Sequence, residues 1–204
     1  MLELDHIVVV CADLRAGLDH VQNRLGIAVP PGGRHPLMGT MNHLVRLGEA
    51  SFLEVIAPDP DAPLPGRPRW FGMDRAGAPR LTHWVVRTTD MDGLHPTLPP
   101  DSGPAIPVTR GDLSWRLTVP EDGSLPMGGI FPTVVEWSPG PLPPRAMPGM
   151  GLDLLELHLA HPQADAIRAQ VEPLFPDDRV SLAQGDRPTL RALIGTPDGP
   201  KWLD

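Results

Sequence analysis

The chain has 204 residues, enough for one large domain or two small halves whose core needs no disulfide or metal staple. Its 41% apolar and 21% charged residues exclude wholesale disorder, and its 28 Pro and 21 Gly fall in clusters between apolar segments, which excludes a collagen-like repeat. A net charge of −8 with no run of Lys or Arg argues against nucleic acid as a partner. The longest apolar stretch, around Ile7 to Ala12, is too short to span a bilayer, and the start lacks a basic region followed by an apolar one, so a soluble, cytoplasmic protein is expected. Cys11 is the only cysteine, which leaves no intrachain disulfide, and its place at the end of an apolar run reads as a small buried hydrophobe.

Leu4 to Val10 is a β-branched run suited to a buried strand. Asp13 follows as an N-cap, then Leu14, Leu18, Val21 and Leu25 recur at helical spacing, closed by Gly26. After a Pro/Gly loop (Pro30 to Gly33) come strand patterns at Met41 to Leu47 and Ser51 to Ile56, and counting Ile27 to Val29 as a short strand gives the order β-α-β-β-β. Ala57 to Pro79 reads as a Pro/Gly-rich linker pinned by Trp70 and Phe71. The pattern then restarts. Leu81 to Asp90 aligns without gaps on Leu4 to Asp13, placing His83 on His6 and Asp90 on Asp13, an internal repeat offset by 77 residues. Gly93 and Pro96 shorten the second helix, and strands follow near Ser114 to Val119 and Thr133 to Trp137. A third opening at Leu154 to Ala160 precedes a helix over Pro162 to Leu174, capped by His161, and strands near Arg179 to Ala183 and Leu190 to Ile194; His158 is then a plain strand residue. The expected organisation is a first module over 1–60, a linker over 61–80, a second module over 81–140 and a partial third β-α-β-β module over 150–204.

Side chains alternate on a strand, so His6 is expected to share a face with Leu4, Val8 and Val10, and His83 with Leu81, Val85 and Arg87. The last strand of each module holds a carboxylate within an apolar run, Glu54 and Glu136, at spacings of 48 and 53 residues from the respective histidine. A buried carboxylate needs a partner. Two facing modules would gather two imidazoles and two carboxylates, a mixed N/O set suited to a divalent metal. The alternative is salt bridging without an ion, Glu54 to Arg46 and Glu136 to Arg87 or Arg116. In the segment Gly32 to Asn42, His35, Thr40 and Asn42 offer donors and acceptors for an oxygen-rich ligand; Asn42 and Arg46 are expected to look inward, and Arg110 and Trp115 to clamp an anionic or planar substrate or else to serve packing.

The segments Leu4-Asp-His-Ile-Val-Val9, Pro31 to Asn42, Phe52-Leu-Glu-Val-Ile56 and Val134-Val-Glu-Trp137 together resemble the vicinal-oxygen-chelate superfamily, in its glyoxalase-like branch. The resemblance covers roughly residues 1 to 140 and implies an α+β fold: tandem βαβββ modules forming a cupped, barrel-like mixed sheet with helices outside, plus the partial third module. It implies metal ligands at His6, Glu54, His83 and Glu136, with Glu54 and Glu136 as the catalytic carboxylates. The activity implied is that of a divalent-metal-dependent lyase or isomerase acting on a small carbonyl-containing metabolite, with His35, Thr40, Asn42, Arg46, Arg110 and Trp115 contacting the substrate. The alternatives are a metal-free protein that binds or sequesters a small molecule, and an extradiol-type dioxygenase. The cofactor expected is a divalent metal (Ni, Zn, Mn, Co or Fe), or none. The partners expected are a small-molecule ligand and a second copy of the chain, with no nucleic acid and no membrane.

Overall fold

A computed structural model describes residues 2–204. The apolar alternation of both repeats builds one eight-stranded sheet from β1 (Glu3–Val10), β2 (Pro31–His35), β3 (Thr40–Leu47), β4 (Ser51–Pro58), β5 (Arg80–Arg87), β6 (Ala105–Arg110), β7 (Leu113–Thr118) and β8 (Thr133–Trp137). Its order, β2-β3-β4-β1-β5-β8-β7-β6, is two copies of one module joined by the antiparallel pair of β1 and β5. Within each copy the first and last strands run parallel, β1 with β4 and β5 with β8. The sheet curls until its edges approach, with the side chain of Arg110 on β6 lying against Gly33 on β2. A Cβ at Gly33 would sit 2.9 Å from Arg110 Cδ, so a larger residue there would push the Arg110 side chain aside. The fold is the cupped α+β architecture expected.

Helix α1 (Leu14–Leu25) begins and ends as its sequence predicts: Asp13 accepts a hydrogen bond from the Ala16 N–H at 2.8 Å, and Gly26 closes the helix with φ +77°. It lies outside the sheet against β4, so close that Gly17 leaves no space for a larger residue. Helix α2 (Met91–Leu94) is one turn, capped by Asp90 through the Gly93 N–H. The linker residues Trp70, Phe71 and Met73 turn into the cup and pack on Val8, Val10, Ile56, Val85 and Val135, forming a core separate from the one under the helices.

Several elements differ from expectation for identifiable reasons. The short strand after α1 is Pro31–His35 rather than Ile27 to Val29. Strand β6 was not anticipated because Pro104 and Pro107 read as breakers, and both β2 and β6 are edge strands, where proline does no harm to the ladder. The C-terminal part forms a second sheet from β9 (Asp153–His161), β10 (Val180–Gln184), β11 (Thr189–Thr196) and β12 (Gly199–Leu203), crossed by α3 (Ala164–Val171). Gln163, not His161, precedes α3 as its cap residue. This sheet opens like a module, yet its order is β10-β9-β11-β12, in which β10 rather than the last strand pairs parallel with the first. Leu154, Leu157, Ile194 and Phe175 join it to Trp84 of β5 in the core under the helices. Among the described residues no helix is long and apolar enough to cross a membrane.

Candidate functional site

The first strand places two consecutive polar residues on one face. Simple alternation would send Asp5 and His6 to opposite sides, but β1 shifts register against β5 between Leu4 and His6. The bulge leaves Leu4 in the core under the helices and turns both Asp5 and His6 toward the cup. Asp5, fully buried, accepts from His6 Nδ1–H at 2.7 Å through one oxygen and from Trp137 Nε1–H at 2.9 Å through the other. His6 stacks on Phe52 with ring centroids 4.3 Å apart, and its Nε2 faces Glu54 Oε2 at 3.6 Å, too long for a hydrogen bond. Burial by itself would lower the His6 pKa. Its hydrogen bond to Asp5 and its charge interactions with Asp5 and Glu54 outweigh burial and raise it from 6.5 to about 9, so His6 is an imidazolium at neutral pH.

Glu54 is 6% exposed. Burial opposes its ionisation, but the imidazolium of His6 and the hydrogen bond from Asn42 Nδ2–H to Oε1, 2.5 Å long, hold its pKa below the usual carboxylate value. Asn42 uses its carbonyl oxygen to accept from the Gly33 N–H at 2.8 Å and from Arg110 Nη1 at 3.3 Å. Arg110 also donates to His35 Nε2 at 3.3 Å, which leaves Nδ1–H of His35 to donate to Thr40 Oγ1 at 3.0 Å. Burial, together with the positive charges of Arg110 and His6, lowers the His35 pKa to about 4 and keeps it neutral. A continuous chain of polar contacts therefore runs from Trp137 through Asp5, His6, Glu54 and Asn42 to Arg110 and His35.

The second module repeats the backbone and changes the chemistry. Strand β5 carries the matching bulge, which puts Thr82 where the first module has Asp5. His83 Nε2 accepts from the Thr133 N–H at 3.2 Å and lies 2.6 Å from the Thr133 hydroxyl, while its Nδ1 faces Gly129 O at 3.4 Å. Without a carboxylate beside it, burial lowers the His83 pKa to about 3. Register shows why the counterpart of Glu54 is Thr133. Glu54 pairs with Val8, two residues after His6; Thr133 pairs with Val85, two residues after His83.

The chain matches the sequence profile of the family described as the glyoxalase-like domain over residues 4–175. The chain belongs to the glyoxalase-like domain family. That places it in the vicinal-oxygen-chelate superfamily, as its sequence suggests. Among solved structures, a hypothetical protein from Staphylococcus aureus is similar at 12% identity and a TM-score of 0.66, over 93% of this chain and 88% of that one. A methylmalonyl-CoA epimerase from Mycobacterium tuberculosis is 20% identical with a TM-score of 0.42, over 68% of this chain and 88% of that one. No curated protein matches the chain.

This glyoxalase-like domain does not gather the four metal-binding groups that its superfamily resemblance implies. His6 and Glu54 meet, but the lone pair of His83 Nε2 is taken up by Thr133. Glu136 lies on the opposite face, where one oxygen accepts from Arg116 at 2.5 Å and the other from the Met91 N–H at 2.9 Å. Spacing alone misassigned it, because Thr133, Val135 and Trp137 are the residues of β8 that face the cup. Among the described residues no three His, Cys, Asp or Glu side chains converge on one point. The donor set does not fit a divalent metal.

The cup instead encloses a cavity of about 40 Å³, room for a few waters or the reacting end of a small ligand at about 10–15 Å³ per water. His6, His35, Asn42, Glu54, Arg110 and Trp115 line it, while Thr40 stands just behind His35. Arg46 is not part of the lining; its guanidinium packs against Gly149. The sequence does not assign Asp5, Thr133 or Trp137 to the site, and it marks Trp70 and Phe71 only as linker anchors. The signal for Asp5 was an acid within an otherwise apolar strand, and for Trp70 and Phe71 two aromatics in a segment otherwise rich in Pro and Gly.

Proposed function

We propose that the cup binds a small carbonyl-containing metabolite and that Glu54 and His6 transfer a proton on it without a metal. The observation that carries this reading is the pair itself: a buried carboxylate and a buried imidazolium, oppositely charged, 3.6 Å apart and both open to the cavity. Glu54 takes the proton from the carbon next to the carbonyl. His6 Nε2–H turns from Glu54 to the carbonyl oxygen and donates to it as negative charge develops there. The proton then returns from Glu54 to carbon, giving isomerisation, epimerisation or exchange. Asp5 holds the imidazole by Nδ1–H, and Asn42 fixes the other oxygen of Glu54. The walls of Phe52, Trp70, Trp115 and Trp137 keep water away from the intermediate. A dioxygenase reading, which needs His6, His83 and Glu136 around one iron, has no support in a geometry that turns Glu136 to the other face.

Deuterium exchange tests the reading. Hydroxyacetone, acetoin and short 2-oxo acids are incubated with the protein in D2O and followed by proton NMR. At least one should exchange its carbon-bound hydrogen faster than in buffer, and Glu54→Gln should reduce that rate by about 10²-fold or more. Ligands that bind to the cup but never exchange would instead identify a sequestering protein.

A further inference from the structure

Arg110 is a cation without an anion. Arg34, Arg69, Arg87 and Arg116 each meet a carboxylate, whereas Arg110 enters the cup across the seam of the sheet and spends only Nη1, on the neutral acceptors His35 and Asn42. Its remaining N–H groups have no acceptor among the described residues. The ring of Trp115 lies 6.0 Å from the guanidinium carbon. A second orphan lines the same cavity: Trp70 is 2% exposed, and its Nε1–H is buried with no hydrogen-bond partner among the described residues. A buried donor left unpaired is costly, and this one shares its cavity with a half-buried guanidinium that meets no carboxylate; the two together call for an acceptor rich in oxygen. Asn42 sets where that acceptor lies, since its amide donates to Glu54 through Nδ2 and accepts from Arg110 through Oδ1. The anionic and cationic poles of the cup are thus one carboxamide apart.

We propose that Arg110 and Trp70 form a carboxylate subsite, and that the ligand is a short 2-oxo or 2-hydroxy acid whose carboxylate sits there while the neighbouring carbons face His6 and Glu54. This rests on the proton-transfer reading for its orientation, though not for the existence of the subsite. The carboxylate takes the free N–H groups of Arg110 in a charge-assisted pair, the stronger of the two contacts, and the Trp70 N–H as a second donor. The small volume of the cavity leaves room beside His6 and Glu54 for only the first few carbons of the ligand.

The test is a titration followed by the fluorescence of the cup tryptophans, with pyruvate, lactate and acetate as acids and methyl pyruvate as the neutral match. Circular dichroism and thermal melts first establish that each variant is folded. Wild-type protein should bind pyruvate saturably and the ester about tenfold more weakly or worse. Arg110→Gln should lose about tenfold or more in pyruvate affinity, Arg110→Lys should recover part of it, and Trp70→Phe should lose several-fold. Equal binding of acid and ester, unchanged affinity in Arg110→Gln, or no saturable response to any of the acids overturns the subsite. Glu54→Gln separates the two readings, because it should bind pyruvate at least as well as wild type while losing deuterium exchange. Arg110-dependent binding without exchange in wild type keeps the subsite and ends the proton-transfer reading. Exchange of neutral ketones that ignores Arg110 does the reverse.

Discussion

Replacing Asp5 with Asn keeps the shape of the side chain and removes one of the two negative charges that flank His6. The rise of the His6 pKa from 6.5 to about 9 is worth about 3 kcal/mol at 1.36 kcal/mol per unit. Asp5 makes the shorter contact, 2.7 Å against 3.6 Å for Glu54, so most of that stabilisation, roughly 2 kcal/mol, should go with its charge. Asn can still accept from Trp137 Nε1–H, but it then offers His6 Nδ1 only an N–H, which favours the neutral ring. Because the folded-state pKa of His6 lies above its unfolded value, its contribution is complete below pH 6.5 and disappears as pH rises through 9. The deficit of Asp5→Asn should therefore be largest near pH 6 and fall by roughly 2 kcal/mol as pH rises through 9, leaving only the pH-independent loss of the Asp5 contact with Arg87 Nη1 at 3.7 Å. Urea unfolding at pH 6, 7.5 and 9, combined with histidine NMR titration of both proteins, measures it. A deficit independent of pH, or a His6 in the variant that still titrates near 9, would refute the argument.

On the acid side the sign reverses. His35 and His83 are held neutral by burial, with pKa values lowered to about 4 and about 3, so between pH 6.5 and 4 the unfolded chain binds protons that the folded chain does not. Each should cost about 1.4 kcal/mol per pH unit, and unfolding free energies that stay level from pH 6.5 to 5 would contradict it. In Gly17→Ala, the new Cβ would lie 2.5 Å from Cys11 Sγ and 2.8 Å from Val55 Cγ1, both buried. The overpacking cost of about 1–3 kcal/mol should exceed the gain of about 1 kcal/mol in helix propensity, and a thermal melt should show a lower midpoint.

The modular fold was legible because each unit carries its own punctuation: Asp13 and Asp90 cap, Gly26 stops, and the aligned openings share apolar alternation and a histidine. The two edge strands were not, since proline and glycine signal a break whether a segment is a loop or the border of a sheet. His6, Glu54, Asn42 and Arg110 were legible as members of the cup. Glu136 was misplaced because counting residues between modules assumes equal loops, while the face a residue takes depends on parity along β8. Asp5 was missed for the complementary reason: a bulge changes parity without any mark in the apolar pattern. Trp70 and Phe71 were recognisable as anchors, but nothing local to them says that their anchorage is the inside of the cup.

That anchorage has a bearing on how this architecture diversifies. Trp70 and Phe71 belong to the segment between the duplicated units, yet they line the chamber those units create, with Met73 packed in the same apolar cluster. Substitutions there would resize and reshape the chamber while leaving every strand pairing intact. Selectivity for one metabolite over another can drift in a short connecting segment, independently of the framework that keeps the chain folded.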